Sequence, residues 1–176
     1  MKTLKLVLAL AVCALLVGTA GAAAPDSLKQ GTADLKSAGP MCFGPNGVLF
    51  VGDPMGAAVF AFDTGDTKTA SGHIKAEGID GKIASLLGTT TQQMLIADMA
   101  VNPTSGNVYF SVSRGRGPDA VPVICRLERS GKLEEFSLKD VKFAKATLPN
   151  APASAQGQRG NPRTETITDL AYLRRG

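Results

Sequence analysis

Between Met41 and Asp63 the apolar residues come in three short runs: Met41-Cys42-Phe43, Val48-Leu49-Phe50-Val51 and Ala57 to Phe62. Runs of this length, rich in β-branched and aromatic residues and bounded by Gly, Pro, Asn and Asp, predict strands. The middle run does not alternate with polar residues. Both of its faces are therefore expected to be covered, as when sheets stack. Gly44-Pro45-Asn46-Gly47 predicts a type I turn closed by a left-handed glycine, because a proline argues against a type I′ turn. Gly52-Asp53-Pro54-Met55-Gly56 is the next break, and Asp63-Thr64-Gly65-Asp66 stops the third run.

The pattern returns further on. Asp98-Met99-Ala100-Val101, preceded by Met94-Leu95-Ile96, matches the first strand, and Asn102-Pro103-Thr104-Ser105-Gly106 replaces the turn. Asn107 to Val112, Val121 to Leu127 and Lys132 to Leu138 supply three more strands. Thr168 to Leu173 opens a third copy, since Asp169-Leu170-Ala171 aligns with Asp98-Met99-Ala100. Between the first two copies the period changes. Ile79, Ile83, Leu86 and Leu87 share a helical face, Asp80 can cap and Gly88 can end the helix. In the first copy, Ala70 to Ile74 reads as an outer strand.

Repeats of several short strands mark radial β architectures. The stretches Phe-Gly-Pro-Asn-Gly-Val-Leu-Phe-Val-Gly-Asp and Val-Asn-Pro-Thr-Ser-Gly-Asn-Val-Tyr-Phe resemble blades of secreted bacterial β-propellers, of the NHL-like and regucalcin/gluconolactonase-like kinds. The resemblance spans Ser37 to Leu173 and implies an all-β fold. The expected form is a partial β-propeller of about two four-stranded antiparallel blades, the start of a third and one short inserted helix. Blade one is expected over 40–77, the helix over 79–88, blade two over 95–139 and the start of blade three over 164–173. A ring needs at least about four blades to close, so the chain reads as the N-terminal part of a longer protein or as one that self-associates.

Residues 1–23 read as a signal peptide: Lys2 and Lys5, an apolar stretch from Leu6 to Val17, then small residues. The apolar core is short for a membrane span of roughly 20 residues. An exported, periplasmic or extracellular protein, free of the membrane after cleavage, is expected. Residues 24–39 form a lead-in that could also supply a closing strand. With 19 basic and 15 acidic residues the chain carries +4, and loss of Lys2 and Lys5 leaves +2. That is too mild for a nucleic-acid partner, and no basic run interleaves with aromatics.

Candidate chemistry is sparse. His73 is the single histidine, which excludes sites needing two and reads as a surface residue. Ser113-Arg114-Gly115-Arg116-Gly117-Pro118-Asp119 joins two strands of the second copy. In propellers such a loop lies on the channel face, as would Asp53, Asp98 and Asp169. Arg114 and Arg116 suit bidentate recognition of carboxylate or phosphate. The plainer reading pairs them with Asp98, Asp119 or Asp169 to hold loops together. Phe143 to Arg163, rich in Ala, Pro and Gly, reads as an excursion that buries little. Cys42 and Cys125 read as separate thiols.

No catalytic constellation and no cofactor or metal site is expected. The favoured function is an exported binding or scaffold module for an unknown ligand or protein at the channel face. The alternative is a fragment of a propeller enzyme. A lactonase-like metal site could draw only on Asp53, Asp98, Asn102 and Asp169, and a quinoprotein-like blade would carry Trp, which the chain lacks.

Overall fold

The computed structural model describes residues 27–74, 76–155 and 160–173. The expected signal peptide lies outside the described residues. Among those described, no helix is long and apolar enough to cross a membrane.

The first copy forms three antiparallel strands, β2 (Met41–Phe43), β3 (Val48–Asp53) and β4 (Ala58–Asp63), with Met41 opposite Val51 and Val51 opposite Phe60. Asn46 stands at φ 59° beside Gly47 at φ 72°, so two successive left-handed residues replace the expected type I turn. Glycine is needed at 47 twice over, because a Cβ there would lie 2.8 Å from the Asp66 carbonyl oxygen.

The fourth strand of this sheet comes from elsewhere. Thr64 to Ile74 crosses as an irregular connector, and Ala70 to Ile74 forms no strand. Its place beside β4 is taken by β9 (Val141–Thr147), and β1 (Lys29–Gly31) pairs outside β9, giving the order β1-β9-β4-β3-β2. The lead-in thus supplies a strand, and the expected excursion begins as one. The reason is side-chain burial. Phe143 sets its ring 6.0 Å from Phe60 and 6.1 Å from Phe62, and the Lys145 ammonium sits 5.1 Å from the Phe60 ring centroid while pairing with Asp34 at 2.9 Å. Thr69, Ser71, Gly72 and His73 offer no comparable apolar surface.

The second copy is an antiparallel meander, β5 (Met94–Val101), β6 (Val108–Arg114), β7 (Val121–Leu127) and β8 (Leu133–Phe136). Ala97 bulges out of β5, between Ile96 opposite Val112 and Asp98 opposite Ser111. Helix α1 (Ile79–Leu86) lies on this sheet. Gly78, not Asp80, holds the N-cap position, and left-handed Gly88 ends the helix. Ile83, Ala84 and Leu87 are buried, whereas Leu86 falls off that face and is exposed.

The layers therefore run in a fixed order. Met41, Leu49, Val51, Phe60 and Phe62 pack between the sheets against Tyr109 and Ile124, with Phe43 edge-on to Tyr109 at 5.1 Å. Alternation turns Phe110, Val112, Val123 and Cys125 to the other face of the four-stranded sheet, under α1. On the far face of the five-stranded sheet, Tyr172 stacks on Phe50 at 5.9 Å. Ile167 lies over Gly52, where an added Cβ would come within 2.9 Å of it. Both faces of β3 are covered, as its unbroken apolar run requires. Thr168 to Leu173 forms no strand, because it packs side chains on a sheet face instead of pairing with an edge.

Candidate functional site

The β3–β4 turn (Pro54 to Ala57), the β6–β7 loop (115–120), the lead-in at Lys36 to Pro40 and residues 161–169 gather at one end of the two sheets. Between them is a cleft of about 990 Å³, lined by Lys36, Ser37, Met55, Ser113, Pro118 and Asn161 among others. Met55 and Pro118 give it apolar surface. Most of its polar groups are already engaged. The Ser37 hydroxyl donates to Asp53 Oδ1 at 2.8 Å and accepts from the Met55 N–H at 3.0 Å, while Asn161 donates to Ser154 Oγ at 3.2 Å. Among the described residues that line it, Lys36 is the charged one and none is acidic.

Asp53 does not face this cleft as a ligand group. It is fully buried, and its carboxylate accepts the N–H groups of Lys36 and Ser37 at 2.8 Å and of Gly56 at 2.9 Å. It ties the lead-in to the turn. A Cβ at Gly56 would fall 2.2 Å from Asp53 Oδ2, so the turn needs glycine there.

Asp98 and Asp169 do come together, across a smaller cavity of about 180 Å³ shared with Gly39, Pro40, Ala97 and Thr168. Each carboxylate accepts the next residue's N–H at 2.8 Å, and Asp98 also accepts the Met41 N–H from the other sheet at 2.7 Å. The neighbouring Cys42 thiol is pushed up in pKa by burial, with the Asp169 and Asp98 charges adding to it. Such a thiol is a poor nucleophile. Cys125 is pushed up to about 12 by burial and, further, by Glu135. The two thiols are free and lie on the outward faces of different sheets.

The expected ion pairs of the arginine loop are not formed: among the described residues neither Arg114 nor Arg116 pairs with an aspartate. Both are exposed. Ser113 lines the cleft, so alternation turns Arg114 to the opposite face of β6. Arg116 Nε donates to the Gln92 carbonyl at 3.0 Å. Asp119 is exposed in a short 3-10 turn. The loop shapes the cleft through its backbone, while its guanidinium groups lie outside the lining.

At the opposite end of the sheets a polar cluster joins the two copies. Asp66 accepts from the Ser105 hydroxyl at 2.7 Å, Asn107 Nδ2 at 3.0 Å and the Tyr109 hydroxyl at 3.2 Å, and its carbonyl accepts from Asn102 Nδ2 at 2.7 Å. Burial pushes the Tyr109 phenol up to about 12, with the Asp66 charge in the same direction. Asn102 is therefore structural and far along the strands from Asp98. The signal for Asp66 was its place in the break after the third strand, which reads equally as a plain turn.

His73 lines neither cavity, so no serine or thiol there has an imidazole base. Among the described residues, no group of three or more His, Cys, Asp or Glu could hold a metal. No protein-family model, no curated protein and no solved structure matches this chain.

Proposed function

We propose that the chain is an exported, non-enzymatic binding module built of propeller-type blades, whose ligand is a small organic anion seated in the cleft between the β3–β4 turn and the β6–β7 loop. The observation that carries this reading is the cleft itself: about 990 Å³, shaped by loops from both sheets, with apolar surface and, among the described residues of its lining, the basic Lys36 and no acidic residue. The four-stranded meander and the stacking of one sheet on the other support the blade reading. The leader-like residues 1–23 support export. A lactonase-like enzyme would need Asp53, Asp98, Asn102 and Asp169 in one place. Asp53 is fully engaged by backbone donors, and Asn102 bonds Asp66 at the other end.

The chain has no Trp, so Met55→Trp places a single fluorophore at the cleft. Titration with sugar acids, dicarboxylates and short acidic peptides is expected to give a saturable emission change with at least one class, lost in a Met55→Trp, Lys36→Glu double variant. A flat response to all three overturns the cleft reading. Saturable Ca²⁺ or Mn²⁺ binding with lactone hydrolysis would favour the enzyme.

A further inference from the structure

We propose, resting on the cleft reading above, that the anion is the carboxylate of a short acidic peptide with an apolar side chain beside it. The carboxylate seats on Lys36 and the apolar side chain against Met55 and Pro118. What the lining still has to offer selects this class, because much of its polar chemistry is spent within the chain. The Ser37 hydroxyl proton goes to Asp53, that of Thr164 to the Asn161 carbonyl, and the Asn161 amide donates to Ser154 Oγ. Among the described residues, no acceptor takes the Lys36 ammonium or the Ser113 and Ser154 hydroxyl protons. One ammonium and two hydroxyls thus stand open beside the apolar surface of Met55, Pro118 and Ala120.

Each rival class asks for something else. A sugar acid carries a hydroxyl on nearly every carbon, and each one left against Met55 or Pro118 would lose its water without gaining a partner. A dicarboxylate asks for a second cation, and among the described lining residues Lys36 is the charged one. Size points the same way. The cleft, at about 990 Å³, stands at the upper end of the roughly 300–1,000 Å³ typical of small-ligand sites. A small diacid or a single sugar ring would leave much of it to water, whereas a few linked residues fill it. A peptide brings one carboxylate, an apolar side chain and carbonyls that accept from Ser113 and Ser154. The two sides of the cleft are also fixed relative to each other. Asp53 accepts the Lys36 and Ser37 N–H groups, and Ser37 Oγ accepts the Met55 N–H, so the backbones of Lys36 and Met55 are tied to one buried carboxylate. That tie sets the spacing between charge and apolar surface before a ligand arrives, which lowers the cost of binding.

Calorimetric titration of the full mature chain tests this. The probes are acetyl-Ala-Leu-Glu-amide, a Gln analogue without the charge, a Ser analogue without the apolar side chain, succinate and gluconate. The Leu-Glu peptide is expected to bind saturably, and every other probe at least about tenfold more weakly. In Lys36→Gln the Leu-Glu peptide should lose its lead over the Gln analogue and keep its lead over the Ser analogue. In Met55→Ser the two effects should exchange. If Met55→Ser unfolds by circular dichroism, Pro118→Ser replaces it. Succinate or gluconate binding as tightly as the Leu-Glu peptide overturns this inference and leaves the cleft reading standing. Equal binding of the Leu-Glu peptide and its Ser analogue, or a charge preference that survives in Lys36→Gln, overturns it as well. Binding of none of the probes overturns both.

Discussion

The carboxylates of Asp53 and Asp66 are taken up by the chain itself, each gathering three donors from segments 16 to 43 residues away. Buried carboxylates persist where donors are fixed around them. Glu134 is a contrasting case nearer the surface. The Lys132 ammonium beside it, and further the Arg126 guanidinium, hold its carboxyl below the usual range against the opposing effect of partial burial. A depressed folded pKa contributes stability in full above the unfolded value of about 4.3, lost as pH falls through the folded value. Denaturant midpoints should therefore drop on acidification below about pH 5. Glu134→Gln should remove about 0.5–1 kcal/mol at neutral pH and flatten that slope, the two proteins converging in acid. Parallel pH profiles for both would show that the pair contributes nothing.

Among the elements, β9 decides how the first sheet closes. If Phe143 replaces the expected outer strand, Phe143→Ala should destabilise by about 2–3 kcal/mol, below the range of a fully buried phenylalanine. Amides of Val141–Thr147 should resist hydrogen exchange while those of 67–73 exchange freely. Protection over Ala70 to Ile74 would restore the sequence-based strand. Two antiparallel sheets and one short helix were legible because strand runs, turn residues and the helical period are local signals, and Val121–Leu127 was read with its observed ends. The partner of β4 was not. Ala70-Ser71-Gly72-His73-Ile74 sits at the spacing a repeat demands, whereas Val141-Lys142-Phe143-Ala144-Lys145 sits where Ala, Pro and Gly dilute the signal. Pairing across such a distance is set by ring packing that composition does not reveal. The same holds for the site. The β3–β4 turn and the β6–β7 loop could be placed at one end from the repeat, but Lys36, Ser37 and Asn161 enter the cleft through long-range folding that no motif marks.

For the molecule as a whole, the junction of the two sheets has an apolar centre and a polar clasp at one end. Asp66→Ala would strand the Ser105, Asn107 and Tyr109 donors in a buried setting, at a cost of about 3 kcal/mol. A fall in Tm of roughly 6–12 °C is expected for a chain of this size. Loss of the near-ultraviolet tyrosine signal should accompany it, since Tyr109 is held edge-on by Phe43. An unchanged Tm would mean that the sheets are joined by apolar contact without the clasp. The crossing of β9 back to β4 also sets a timetable. Between Asp63 and Val141 lie 77 residues of chain, which take about 4–15 s to synthesise at about 5–20 residues per second. Throughout that interval the first sheet lacks an edge, Phe60 and Phe62 wait uncovered, and closure of so long a loop is slow once its end arrives. The nascent chain thus has a built-in window in which it stays extended and open to capture by factors that hold unfolded polypeptide.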